Sequence, residues 1–154
     1  MKIAFVDLRT VPTSGALVLP LTEGAKWPDA VQKFDRDSGG ALSRAAATGR
    51  FKGKKGQTLS ILAPANLAVS RVLLVGLGAP AKVDPLAVEE AGGTVAASLV
   101  RSGESEVVVL LDALPRTGLS PEKTAAHFAL GARLRDRKST RLNSSHTDIS
   151  RMPS

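Results

Sequence analysis

Cysteine and tyrosine are absent from the 154 residues, and aromatic residues make up only 3% of them. Without cysteine there can be no disulfide scaffold, no thiolate-ligated zinc or iron–sulfur site and no thiol nucleophile. Histidine occurs only as His127 and His146, which excludes a histidine-rich metal site. The longest apolar runs, residues 16–21, 72–81 and 107–111, fall far short of the ~20 residues of a membrane span. A soluble protein with no membrane partner is therefore expected. Asp7 interrupts the apolar run 3–6 and no small-residue cleavage site follows, so no signal peptide is readable and cytoplasmic residence is expected.

What is present fits one domain, because a chain of this length buries roughly two thirds of its unfolded surface. Lys and Arg number 21 against 14 Asp and Glu, but the excess is unevenly placed. Up to Asp136 there are 17 basic and 13 acidic residues, whereas the last 18 residues hold four and one. That stretch, 137–154, has five serines, isolated aliphatics at Leu142, Ile149 and Met152, and no period of 2 or 3.6. It reads as disordered. A basic tail can serve as a nucleic-acid arm; a solvated tail without a role is the simpler reading.

Residues 2–7 alternate and then enter a turn-rich stretch at 12–15, which marks a first strand. Residues 16–21 predict a second, and Pro20 puts its end at a sheet edge or strand terminus. Between Trp27 and Thr48 the spacing becomes helical, with Pro28 at a start and Ser38-Gly39-Gly40 separating two short helices. Residues 50–52 and 57–62 flank Gly53-Lys54-Lys55-Gly56 and predict a hairpin with a glycine-bounded turn. A buried strand follows at 70–77. Asp84 as N-cap and Pro85 at the first helical position open a helix with Val88, Ala91, Val95 and Leu99 on one stripe. Gly92-Gly93 in its middle costs ~1 kcal/mol per glycine relative to alanine, which predicts close approach to a neighbouring backbone. A strand at 106–111 and a helix opened by Ser120-Pro121-Glu122, with Ala125, Phe128, Ala129 and Ala132 on its apolar face, complete the order ββααβββαβα. Apolar strands alternating with amphipathic helices predict an α/β sheet covered on both faces and made mixed by the hairpin.

No stretch specifies an active site. Gly76-Leu77-Gly78 follows a strand, where a phosphate-cradling loop would lie, but Ala81 stands in place of the third glycine and Pro80 removes a donor. A plain strand-to-helix turn is favoured. Gly53-Lys54-Lys55-Gly56 lacks the spacing of a phosphate loop. The segment from Asp35 to Gly40 begins like a calcium loop and fails at its fifth and twelfth positions, Gly39 and Ala46. Glu89-Glu90 and Glu104/Glu106 are carboxylate pairs with no basic or histidine partner specified nearby, and read as surface charge. His127, between Ala126 and Phe128, reads as a partly buried core histidine. No residue is assigned a catalytic, cofactor-binding or metal-binding role.

Five pieces in order resemble the N-terminal domain of the cytosolic leucyl aminopeptidase family. They are residues 2–21, the segment from Phe51 to Gln57 leading into a strand, Arg71-Val72-Leu73-Leu74-Val75-Gly76-Leu77-Gly78, the Ala/Gly-rich helix with Gly92-Gly93, and Ala129-Leu130-Gly131-Ala132-Arg133-Leu134-Arg135-Asp136. The resemblance covers residues 1–136 and implies a macro-like three-layer α/β domain with a mixed sheet between helices. It also implies a hexameric homo-oligomer acting on peptides through two divalent metals, zinc or manganese, held in a C-terminal domain. The family's metal-ligand signature, N-T-D-A-E-G-R-L, is missing: Thr147-Asp148 echoes two letters and continues as Ile149-Ser150. No catalytic or metal residue is carried over, and the chain alone is expected not to hydrolyse peptides.

From Lys138 onward the chain departs from the family and resembles translated adaptor or vector read-through, so a truncated gene product with a domain at 1–136 is expected. The helix at 120–136 is expected to dock on the missing part. Two binding-module alternatives stay open. One is DNA binding through Arg50, Lys52, Lys54 and Lys55, with Phe51 as the aromatic for base stacking. The other is ADP-ribose-type binding through Gly76-Leu77-Gly78.

Overall fold

A computed structural model describes residues 2–6, 15–24, 27–99, 102, 106–110 and 120–143. The strands are β1 (Lys2–Val6), β2 (Ala16–Thr22), β3 (Thr58–Leu62), β4 (Arg71–Gly78) and β5 (Glu106–Leu110), of which β2, β4 and β5 are built on near-continuous Val and Leu runs. They form one sheet in the order β1-β5-β2-β4-β3. β3 runs antiparallel to β4, and the remaining pairs are parallel. The helices are α1 (Asp29–Asp37), α2 (Ala41–Thr48), α3 (Pro85–Leu99) and α4 (Pro121–Asn143), with a 3-10 turn at Pro80–Lys82 between β4 and α3.

β2, β4 and β5 are apolar on both sides because both sides are covered. Leu17, Leu19, Val72, Leu74 and Val108 share one cluster with Val31, Phe34 and Leu42 of α1 and α2. The alternating residues Val18, Leu73, Val75, Val107 and Val109 share a second cluster with Val88, Val95 and Leu99 of α3 and with Phe128 of α4. The domain is thus a three-layer α/β structure with a mixed sheet, as the pattern implied.

The starts of α3 and α4 follow their capping residues. Asp84 Oδ1 accepts from the Ala87 N–H at 2.8 Å, and Ser120 Oγ accepts from the Lys123 N–H at 3.2 Å. Asp84→Ala strands one N–H of the first turn of α3. Urea unfolding is expected to show a loss of about 1 kcal/mol, and an unchanged midpoint would mean that the cap contributes nothing. Of the two glycines predicted to meet a backbone, Gly92 does so and Gly93 makes ordinary contact; Gly131, where the pattern predicts no such approach, is the other tight position. A Cβ on Gly92 would strike the Phe128 carbonyl of α4, and one on Gly131 would strike the Glu89 carbonyl of α3.

The structure departs from the pattern at two places. Residues 50–52 form no strand, so the hairpin that makes the sheet mixed is β3–β4. Gln57 explains this: its Oε1 accepts from the N–H groups of Lys52 at 2.9 Å and Lys54 at 3.3 Å, and its Nε2 donates to the Arg50 carbonyl at 3.0 Å. A side chain thereby takes the bonds a second strand would have made. β2 lies in the middle of the sheet, and Pro20 falls near its C-terminal end, one of the two placements expected. Pro20 fits there because pairing with β5 ends at Val18, leaving β4 as the one neighbour of this part of β2 among the described residues. The second departure is α4, which runs to Asn143, past Asp136 and into the stretch read as disordered. The turn at 12–14, Glu104, Leu111 and His146 lie outside the described residues.

Candidate functional site

Ligands of open α/β sheets enter at the carboxyl ends of the parallel strands, and here that edge carries both glycine motifs. Gly76-Leu77-Gly78 are the last residues of β4 itself, not a turn after it. The Gly76 N–H donates to the Gln57 carbonyl at 2.7 Å, and the Gly78 N–H donates to the Gly53 carbonyl at 2.9 Å. The Glu23 N–H, just past β2, donates to the Gly78 carbonyl at 2.9 Å. A Cβ on Gly76 would collide with the Lys54 carbonyl, and Gly53, at φ +85°, has the Thr22 carbonyl against it. The two motifs, read separately in the sequence, are each other's packing partners. Because the N–H groups of Gly76 and Gly78 bond to the protein's own carbonyls, they are not available to a phosphate. This removes the support for ADP-ribose-type binding at that turn.

The basic loop is altered in the same way. Arg50, Lys52 and Lys54 are exposed, but Phe51 is buried in the cluster beneath α1 and α2 and cannot stack on a base. Lys55 Nζ lies 2.7 Å from Glu90 Oε1, and that carboxylate holds the ammonium above the ordinary lysine range. The expected DNA-binding cluster therefore lacks its aromatic and has one of its four cations paired.

Glu89 and Glu90 diverge, as adjacent helical residues must, but each finds the partner that the sequence did not specify. Glu90 takes Lys55, and Glu89 Oε2 accepts from His127 Nδ1 at 2.9 Å. Both members of the second pair are half-buried, with side chains 26% and 35% exposed, so His127 ties α4 to α3. The 38 positions between them are bridged because the glycine contacts hold the two helices together. No local spacing could have revealed this pair. Asp35, from the rejected calcium-loop motif, accepts the Ser43 N–H on Oδ1 at 3.0 Å, while its carbonyl accepts from Ser38 Oγ at 3.0 Å. It fastens α1 to the start of α2.

A two-metal hydrolytic centre needs several carboxylate or imidazole ligands converging on one place. No group of three or more His, Cys, Asp or Glu comes together among the described residues. These residues do not fit that group, and no hydrolytic step is assigned to them. No helix among them is long and apolar enough to cross a membrane. The surface does offer Leu130 and Leu134 on α4, 45% and 52% exposed. Leu134 borders a groove of about 350 Å³ between α3 and α4, lined also by Glu90, Thr94 and Arg135.

The family model described as "Cytosol aminopeptidase family, N-terminal domain" matches residues 18–146. The chain is 41% identical over 135 residues to a "Probable cytosol aminopeptidase" of Caulobacter vibrioides, covering 87% of this chain and 26% of the relative. It is 38% identical over 149 residues to one of Rhodopseudomonas palustris strain BisA53, covering 96% and 29%. Among solved structures, a tomato leucine aminopeptidase mutant matches with a TM-score of 0.70 and 28% identity, over 88% of this chain and 28% of that one. The chain thus spans less than a third of the length of these relatives.

Proposed function

This chain belongs to the cytosol aminopeptidase family as its N-terminal domain, and from that premise we propose that it is the non-catalytic part of a metal-dependent leucyl-type aminopeptidase. The observation that carries the reading is the extent of the match. Residues 18–146 fit the N-terminal model, and the chain spans only 26% to 29% of the bacterial relatives cited. In the whole protein, two divalent metals, zinc or manganese, activate a water on peptide substrates from a separate domain. The part played here is to pack subunits in a homo-hexamer and to shape access to the active site, in the cytoplasm. The half-exposed Leu130 and Leu134 of α4 suit a face that meets another domain.

A direct test incubates the purified chain with leucine p-nitroanilide and added manganese or zinc, alongside a chelator control. No chelator-sensitive release is expected. Metal-dependent turnover by this chain would overturn the proposal, because it would require ligands within these residues. DNA binding finds no equal support, since Phe51 is buried and Lys55 is paired.

A further inference from the structure

We propose that β3 is a strand-addition site for a second copy of this chain, pairing antiparallel with the same strand across a two-fold axis and joining two five-stranded sheets. This does not rest on the family reading; it follows from the sheet edge. Among the described residues β3 is terminal in the order β1-β5-β2-β4-β3 and pairs only with β4. The Gly76 N–H donates to the Gln57 carbonyl, and the Ala63 N–H donates to the Ser70 carbonyl, so positions 57 and 63 bond inward. Antiparallel ladders alternate, which puts Leu59 and Ile61 inward as well. Thr58, Ser60 and Leu62 then aim their N–H and C=O groups at the open edge. Their side chains are exposed, and Leu62, at 66%, is the most exposed large hydrophobic residue described.

Edge strands are normally blunted by charge, proline or a bulge. Thr58-Leu59-Ser60-Ile61-Leu62 has no charge and no proline, and its register against β4 is unbroken. The sequence is also complementary to itself. Centred on Ser60, an antiparallel pair sets Thr58 opposite Leu62 of the second copy, Leu59 opposite Ile61, and Ser60 opposite Ser60, so no charges oppose each other within the two strands; the cation beside the axis is Arg71 of β4, whose Nη1 lies 3.5 Å from Ser60 Oγ. Lys54 and Lys55, just before the strand, fall beside the uncharged segment 63–66 of the other copy. This separates the two basic loops and favours a second copy as the occupant.

The test is sedimentation velocity over a concentration series on the purified chain and on Ser60→Lys and Ser60→Glu. The wild-type chain is expected to move from 16.0 kDa toward twice that mass. Each variant, with like charges facing across the axis, needs at least about ten-fold higher concentration to do so. An equal mixture of the two variants is expected to restore dimers, since opposite charges then face each other. Hydrogen exchange on the unmodified chain gives a reading independent of variant folding. The amides of Thr58, Ser60 and Leu62 are expected to slow as concentration rises, while those of Leu59 and Ile61 stay protected throughout. A chain that remains monomeric would overturn the proposal. So would a dimer that survives both Ser60 variants, or one abolished by Leu134→Lys instead, which would place the contact on the α3–α4 groove.

Discussion

Phe128→Ala is expected to remove about 3–5 kcal/mol of folding stability. Phe128 is the largest of the fully buried side chains, at 0% exposed, and it seals the sheet face covered by α3 and α4. Its ring meets Phe5 of β1 edge-on, with centroids 6.0 Å apart and planes at 88°, a geometry that adds about 0.5–1.5 kcal/mol beyond area burial. Truncation therefore loses transfer free energy, the aromatic pair and close packing together. The cavity cannot readily collapse, because its walls are paired strands on one side and two helices in backbone contact on the other. Domains of this kind are stable by roughly 5–15 kcal/mol in total, so the variant would sit near its unfolding threshold at room temperature. Urea unfolding followed by far-UV circular dichroism checks this, with a lower midpoint and an unchanged slope expected. A loss below about 1 kcal/mol would show that α4 does not seal this face.

Gly131→Ala is expected to destabilise by about 2 kcal/mol, although helix propensity alone argues for a gain of about 1 kcal/mol. The added methyl has nowhere to go, because Glu89 presents its backbone carbonyl at the spot a Cβ would occupy. A flexible side chain could swing aside; a carbonyl within α3 cannot move without carrying the helix. The neighbouring contact of Gly92 with the Phe128 carbonyl would open at the same time, and the His127–Glu89 bond would stretch. Gly92→Ala and Gly131→Ala act on one seam, so their effects are expected not to add. Thermal melting of the single and double variants measures both points. A more stable Gly131→Ala protein would mean that the helices stand further apart than described.

Much of this architecture is legible in local chemistry. The Asp84-Pro85 and Ser120-Pro121 pairs announce α3 and α4 because a cap needs only residues within one turn. The runs of β2, β4 and β5 are apolar at successive positions because both faces are covered, and that alone distinguishes them from surface strands. Gly92-Gly93 reveals that a backbone comes near, but not whose. What stays hidden depends on residues distant in the chain. The partner of Gly53 is Gly78, the partner of Glu89 is His127, and the amide that displaces a strand at 50–52 belongs to Gln57. Pro20 leaves two placements open, and only the sheet order decides between them: a strand can be central and still have one free side near its end. The candidate site was the less legible half, since the meaning of its glycines changes once their N–H groups are seen to be engaged.

The strand order also sets a timetable for synthesis. β1 pairs with β5 in the register Lys2 to Glu106, so among the described residues its one neighbouring strand is made about a hundred residues later. β2, β3 and β4 are complete by Gly78 and can pair beforehand, with α1 and α2 already available to cover one face. β1 therefore waits, while the residues up to β5 are made, for the strand it pairs with, and the sheet closes at the end opposite to the one where it begins.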